Sequence, residues 1–290
     1  MGELFALLTA LIWAAAVILL KRSGETIPPF ALNLFRVAVS SALLLPTAAL
    51  AGQASVISAS LSDILLLVAS GAIGVAISDT LFHASLNRIG AGISAIIDCL
   101  YSPLTVLLAF LALNERLSAL QLVGLALVLG GVFAAARHEP PHGVAPRQVA
   151  VGVAWGVLAM LALAVGIVIA KPVLDRSPLL WAATVRQVGC LAVMLPVALL
   201  SRRRAKILGA LRPSPVWLHS LPGAVLGSYL GLMCWIGGLK YTKVGVAAIL
   251  NQSSTIYILI LAAIFLKEPF TRRKLVASLV ALAGIILVTI

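Results

Sequence analysis

The sequence predicts an all-α integral membrane protein with ten transmembrane helices, arranged as two inverted five-helix repeats. The first observation is composition, since 62% of the 290 residues are hydrophobic and only 10% are charged. The mean hydropathy of +1.13 is too high for a chain that must build a water-facing surface. The second observation is a series of long apolar runs. The third is that the chain matches itself about half its length later.

Ten apolar runs are each long enough to cross a hydrocarbon core of about 30 Å at about 1.5 Å per residue. Because a helix satisfies its own backbone polar groups in lipid, we expect each run to be helical. The first run carries Glu3 where a signal peptide has basic residues, so we expect it to remain as a span. The predicted spans are 2–20, 31–50, 63–85, 91–113, 118–136, 151–170, 179–200, 216–238, 244–266 and 273–290.

The internal match keeps a nearly constant spacing of 150 to 153 residues. We therefore predict a first repeat over residues 1–136, a polar linker over 137–150 and a second repeat over 151–290. Because five is an odd number and the linker is too polar to cross the membrane, the second repeat enters from the opposite side and is inverted. The matched pairs are Lys21/Lys171, Arg36/Arg186, Pro46/Pro196, Gly74/Gly227, Gly92/Gly245, Glu115/Glu268 and Gly131/Gly284.

Lysine and arginine are distributed unevenly between the two sides of the predicted bundle. The loops after the odd-numbered spans carry 14 of these residues, and the opposite loops carry five. Because basic loops tend to stay in the cytoplasm, this count favours cytoplasmic odd loops and both termini outside. Topology and contact with the lipid bilayer then account for much of the +12 net charge, with no nucleic acid needed as a partner.

Five ionisable side chains inside the predicted spans, Arg36, Asp79, His83, Asp98 and Arg186, are costly to keep in lipid and are therefore functional candidates. Arg36, Asp79 and Asp98 fall within about 7 to 10 Å of span ends on the same side, so they share one level of the bundle. Asp79 and His83 share a helix face, which suits a proton relay or recognition of a substrate ammonium. Two other interpretations stay open. Arg36 with an aspartate could only fix helix packing, and His83 could be solvated at the interface.

The aligned repeats differ at these charged positions. Asp98 aligns with Asn251, and Asp79 aligns with Leu232. We expect Asp98 and Asn251 to face a substrate near the midplane, between the two halves. Arg186 has no aligned acidic partner, so it either snorkels to the interface or attracts an anionic group such as a substrate carboxylate. The predicted pathway is completed by side chains that suit a wet cavity: Tyr101, Tyr229, Trp235, Gln252 and Tyr257.

Enzyme chemistry finds little support in the sequence. No phosphate-binding glycine loop, His-Glu-x-x-His helix or Cys-x-x-Cys pair occurs. Cys99, Cys190 and Cys234 lie in apolar runs and are interpreted as small buried hydrophobes. We therefore predict no enzymatic activity, no cofactor and no metal.

Two short motifs recur in register with the predicted repeats. Asn114-Glu115-Arg116-Leu117-Ser118, followed by Gln121, Gly124 and Gly130-Gly131, has a counterpart in Lys267-Glu268-Pro269-Phe270-Thr271 and Gly284. The turn over 87–92 is mirrored at 240–245. In these motifs the chain resembles the drug/metabolite transporter superfamily, in particular its ten-helix EamA type. The motif glutamates, Glu115 and Glu268, are interpreted as helix caps.

The resemblance implies a secondary transporter in the inner membrane that often exports amino acids or related small metabolites, by alternating access around a central cavity. It also implies termini inside the cell for many relatives, whereas the charge count places them outside. Two rival functions are an exporter of cationic drugs or polyamines, and a membrane-embedded lipid-processing enzyme or flippase subunit. Proton antiport and facilitated diffusion both fit the sequence, as do a monomer and a homodimer.

Overall fold

The computed structural model describes residues 2–53, 60–113, 118–138, 145–241 and 250–289. These residues form helices joined by short turns, and no β-strand occurs among them. Five helical stretches are long and apolar enough to cross a membrane, and shorter apolar helices accompany them. The all-helical prediction is therefore confirmed for the described residues. The five long stretches are Gly2–Ser23, Pro29–Leu50, Leu61–Asp98, Pro146–Arg176 and Leu179–Leu200.

The first half of the chain begins with two helices of equal length joined by a short turn. Helix α2 starts at Pro29, where a proline is tolerated because the first backbone N–H of a helix has no partner within it. The described elements of this half are α1 (Gly2–Ser23), α2 (Pro29–Leu50), α3 (Leu61–Gly71), a first π-helix (Ala72–Ile77), α4 (Ser78–Asp98), α5 (Tyr101–Leu113) and α6 (Ala119–His138).

The second half contains one helix whose bounds equal a predicted span, α8, and one short helix that the sequence did not predict, α9. The predicted span 244–266 begins outside the described residues and is helical from residue 250. The described elements are α7 (Pro146–Arg176), α8 (Leu179–Leu200), α9 (Arg204–Gly209), α10 (Trp217–Ala224), a second π-helix (Val225–Leu230), α11 (Gly231–Tyr241), α12 (Ser254–Phe265) and α13 (Arg272–Thr289).

The two π-helices start 153 residues apart, at Ala72 and Val225, which is the spacing of the sequence match. A π-helix is a widened helical turn that often occurs at functional sites. At the first one, the Asn33 side-chain amide donates to the carbonyl oxygens of Val75 at 2.9 Å and Ala76 at 3.2 Å. A side chain of α2 thereby supplies hydrogen bonds to backbone groups that lipid cannot satisfy.

A sharp break at Gly90 divides α4, because the backbone there has φ of +80° and ψ of 172°. Glycine adopts this conformation at little cost, since it has no Cβ. The carboxylate of Glu268 accepts hydrogen bonds from the next two backbone amides, Ala91 N at 2.7 Å and Gly92 N at 3.0 Å. The chain therefore turns between the predicted spans 63–85 and 91–113 within a few residues, and the second half caps the new helix.

Helices of the two halves pack directly against one another. Helix α4 lies along α7, α1 along α10 and α11, α2 and α3 along α8, and α6 along α13. Most of α4 is buried, and the largest core cluster joins its apolar side chains to those of α1, α7, α12 and α13. The polar residues of α4 consequently lie where the two halves meet.

Candidate functional site

Arg36 is the centre of a buried polar cluster. Its side chain is only 4% exposed, and its guanidinium uses two nitrogens for three partners. Nη1 lies 3.2 Å from Asp79 Oδ2 and 2.8 Å from His83 Nε2, and Nε donates to Ser228 Oγ at 3.1 Å. Two helices of the first half, α2 and α4, and the second π-helix are thereby joined through one side chain.

His83 is fully buried, so the interpretation of a solvated histidine at the interface is wrong. Because an arginine can only donate, His83 Nε2 must accept the hydrogen bond from Arg36. The imidazole is then neutral, with its proton on Nδ1, and that nitrogen has no hydrogen-bond partner among the described residues. A protonated imidazole donates from both ring nitrogens, so the hydrogen bond from Arg36 excludes that form of His83.

Aromatic side chains enclose this cluster and connect it to Asp98. The Trp13 ring lies 6.0 Å from the Arg36 guanidinium carbon and 6.0 Å from the ring of Phe82. The side chain of Trp13 also interacts with the Asp98 carboxylate, which is near enough to Asp79 for the two charges to repel. Asp79 and Asp98 therefore lie near one another in the bundle, and their service in one site stays a prediction.

Arg186 enters the same site from α8. Its Nε donates to Ser70 Oγ at 2.9 Å, and Ser70 in turn donates to the Gly166 carbonyl oxygen at 2.7 Å. Arg186 interacts electrostatically with Asp79 and Tyr101, yet no carboxylate lies within ion-pair distance of it in the described chain. Its Nη2 is buried, and among the described residues no atom accepts a hydrogen bond from it.

The start of α12 packs against the helix that carries Asp98. Thr255 Oγ1 donates to the Ala95 carbonyl oxygen at 3.3 Å and lies 3.4 Å from Cys99 Sγ, one residue after Asp98. Gln252, three residues before Thr255, is also buried. The buried Oδ1 of Asn251 has no hydrogen-bond partner in the described part of the molecule.

The remaining predicted residues lie at different distances from the charges. Tyr101 is within electrostatic range of both Asp98 and Arg186. Tyr257 packs against the main hydrophobic core, and Trp235 is partly buried on α11. The Tyr229 hydroxyl instead lies 2.7 Å from Thr47 Oγ1, which is about 16 Å along α2 from Arg36. The hydroxyl of Tyr229 therefore makes its hydrogen bond far from Arg36.

Two serines of the site, Ser70 and Ser228, were not predicted from the sequence. Serine is common in apolar helices as a partner between helices, so neither residue stands out. The available signal was indirect, because Ser228 lies inside the second π-helix and Ser70 lies two residues before the first. No group of three or more His, Cys, Asp and Glu side chains that could hold a metal ion occurs within the described ranges.

Comparison with known proteins gives a family and a fold. The model of the EamA-like transporter family matches residues 1–137 and again residues 150–290. A relative from Archaeoglobus fulgidus, described as an uncharacterized transporter, is 25% identical over 284 residues, which is 98% of this chain and 96% of the relative. A solved crystal structure matches 99% of this chain and 95% of its own, with a TM-score of 0.69 and 16% identity. That likeness concerns the fold alone.

Proposed function

Because the chain belongs to the EamA-like transporter family and is a multi-pass membrane transporter of small solutes, we propose that it exports amino acids or related solutes across the inner membrane by alternating access. In this proposal ten spans form two inverted five-helix halves, and the solute binds between them. Family membership also sets aside the lipid-processing enzyme as an alternative.

The observation that carries this proposal is the buried polar site at the junction of the two halves. Charged side chains from α2, α4 and α8 lie together there, and a serine of the second π-helix bonds to one of them. Charges are retained inside a membrane protein mainly where they serve a pathway or a substrate. A solute bound at this junction contacts both halves, which is what alternating access requires.

The charges of the site favour a solute that carries both a positive and a negative charge. Asp98 is partly exposed, interacts with Trp13 and makes no ion pair among the described residues. It is therefore the group we assign to a substrate ammonium, with Tyr101 and Asn251 beside the bound solute. Asp79 is mainly engaged with Arg36 and holds that side chain in place.

Transport by the purified protein in proteoliposomes tests this function. We expect flux of at least one labelled neutral amino acid, and a loss on the order of tenfold or more after Asp98→Asn, because the ammonium loses a charged partner. Asp79→Asn is expected to reduce flux as well. The matched control is Asp175→Asn, since Asp175 is 60% exposed and its ion pair in the described part of the chain is with Lys171 on the same helix. Unaltered flux in both site variants would remove their proposed role.

Proton coupling is tested with the same vesicles. A carboxylate that gains and loses a proton during transport permits antiport, whereas facilitated diffusion needs no such group. An imposed pH step that changes the initial flux supports antiport, and an unchanged flux supports diffusion.

An exporter of cationic drugs or polyamines is the second candidate. It is favoured by the two carboxylates and by two aromatic side chains, Trp13, which interacts with Asp98, and Phe82, which packs on Trp13. The two arginines in the same site count against a purely cationic solute. Uptake of a labelled polyamine that exceeds that of every amino acid would support this candidate over the first.

A further inference from the structure

Arg36 and Arg186 occupy aligned positions of the predicted repeat, 150 residues apart, and they are anchored in the same way. Arg36 donates from Nε to Ser228, and Arg186 donates from Nε to Ser70. Each serine belongs to the opposite half of the chain and lies in or next to a π-helix. The backbone scaffold thus holds two guanidinium groups in comparable settings.

The two guanidinium groups differ in what neutralises them. Asp79 forms an ion pair with Arg36, and His83 accepts a second hydrogen bond from the same nitrogen. The residue aligned with Asp79 in the other half is Leu232, which cannot neutralise Arg186. Asp79 acts on Arg186 only through space, since the described ion pairs do not include Arg186.

An unpaired guanidinium inside a membrane protein is unfavourable until an anion reaches it. The Arg186 side chain is held rather than free, because Nε bonds to Ser70 and Nη2 packs at the close approach of Gly74 and Gly166. It is also partly exposed, although it lies about 10 Å from the start of α8. Because Nη2 is enclosed, a solute reaches the guanidinium from its other side. An ordered cation without an ion pair in the described chain is suited to binding an anionic group there.

We propose that Arg186 binds the carboxylate of the transported solute. This inference rests on the proposed function and names the chemical class that the site selects. The site contains two arginines, Arg36 and Arg186, and two aspartates, Asp79 and Asp98, so their charges balance. Arg36 and Asp79 form an ion pair with each other, whereas neither Arg186 nor Asp98 forms an ion pair among the described residues. Tyr101 lies within electrostatic range of both Arg186 and Asp98, so we place the carboxylate of a zwitterion at Arg186 and its ammonium toward Asp98. A phosphate dianion adds a second negative charge that no described cation offsets.

The test compares competing solutes with and without a carboxylate, and adds phosphate as a different anion. Proteoliposomes that transport a labelled amino acid are challenged with the same unlabelled amino acid, its amide, its decarboxylated amine and inorganic phosphate. For the wild-type protein we expect the amino acid to compete on the order of tenfold to a hundredfold better than the amide or the amine. Competition by phosphate that equals or exceeds that of the amino acid overturns the assignment to a carboxylate.

Arg186→Gln is expected to lower amino acid flux by a similar factor and to abolish the preference over the amide, whereas Arg186→Lys keeps part of it. The matched control is Arg212→Gln, because Arg212 is exposed in the loop after α9 and lies outside the site. A structural role predicts a different result, in which Arg186→Gln lowers the melting temperature and reduces transport of all solutes equally. That result, or an unchanged preference, refutes the proposal.

A binding measurement separates failure of this inference from failure of the proposed function. If the wild-type protein transports no amino acid, the proposed function is wrong. The role of Arg186 is then decided by thermal stabilisation of the detergent-solubilised protein by acetate and glycine at matched ionic strength. Stabilisation of the wild-type and Arg212→Gln proteins, but not of Arg186→Gln, supports a carboxylate site. Equal shifts in all three proteins overturn it.

Discussion

The surroundings of Arg36 and Arg186 show how two aligned parts of one chain diverge. Both arginines donate from Nε to a serine of the opposite half, but only Arg36 has an aspartate and a histidine on its remaining donors. The difference teaches that the predicted repeat preserves the positions of helices and anchors, while the charge partners are free to change. Where a partner is missing, the unpaired charge costs stability, and we propose that it serves to bind the solute.

The helix crossings beside the two arginines differ in the same manner. Gly74 meets Gly166 at one crossing, and Gly227 meets Ala16 and Trp13 at the other. Gly166 and Ala16 are 150 residues apart, so the predicted repeat aligns them. The crossing of Gly227 therefore contains the methyl group of Ala16. The crossing of Gly74 has Gly166 at the aligned position, with no methyl group, and Arg186 Nη2 lies against Gly74 there.

The largest expected effect that distinguishes the two arginines is on stability. Arg36→Gln leaves Asp79 buried without its cation and is expected to lower the free energy of unfolding by about 3 to 5 kcal/mol. Arg186→Gln removes an unpaired charge, so its melting temperature is expected to stay the same or rise. Thermal unfolding of the purified proteins in one detergent measures both. Equal losses for the two variants contradict the comparison.

The next effect concerns the two helix crossings. An added Cβ at Gly166 lies 2.6 Å from Gly74 Cα and 2.8 Å from Gly74 N, and backbone atoms cannot move aside easily. Gly166→Ala is expected to cost about 1 to 3 kcal/mol and to displace Arg186. The control is Gly130→Ala, where no atom lies within 4 Å of an added Cβ. A Gly166→Ala protein as stable as this control excludes a close crossing.

A smaller effect is expected where the second half caps the first. Glu268→Gln keeps one oxygen for the amides of Ala91 and Gly92 but removes the negative charge from the start of the new helix. We expect a loss of about 1 kcal/mol, reduced by salt. Glu25→Gln serves as the control because Glu25 is exposed at the same end of the bundle. Equal stability of the two variants at low salt argues against a cap. The aligned Glu115 lies outside the described residues.

The smallest effects are expected at the serine anchors. Ser228→Ala and Ser70→Ala each remove one hydrogen bond from an arginine Nε, at a cost of about 1 kcal/mol. Because Arg36 keeps Asp79 and His83, we expect Ser228→Ala to leave transport nearly unchanged. Ser70→Ala is expected to weaken the preference for a carboxylate over its amide, since Arg186 loses its described anchor. Equal effects of the two changes on that preference refute this difference between the arginines.

The helices were predictable from the sequence because hydropathy and length decide which segments enter lipid. Helix α8 has the bounds of the predicted span 179–200, and α1 and α2 differ from theirs by a few residues. The charged residues of the site were predictable for the same reason, since charges in apolar runs are rare. The two π-helices and the break at Gly90 were not predicted, because no local pattern distinguishes them from ordinary helix.

The sequence by itself determined that this chain lies in a membrane as helices, that it belongs to a transporter family, and which few charges lie inside its apolar runs. Only the tertiary structure decided that Asp79 pairs with Arg36 and leaves Arg186 without an ion pair in the described chain. The physical reason is that partners such as Arg36 and Ser228 are 192 residues apart. Their contact depends on how each helix is rotated and how it crosses its neighbours, and no residue pattern along one helix specifies either.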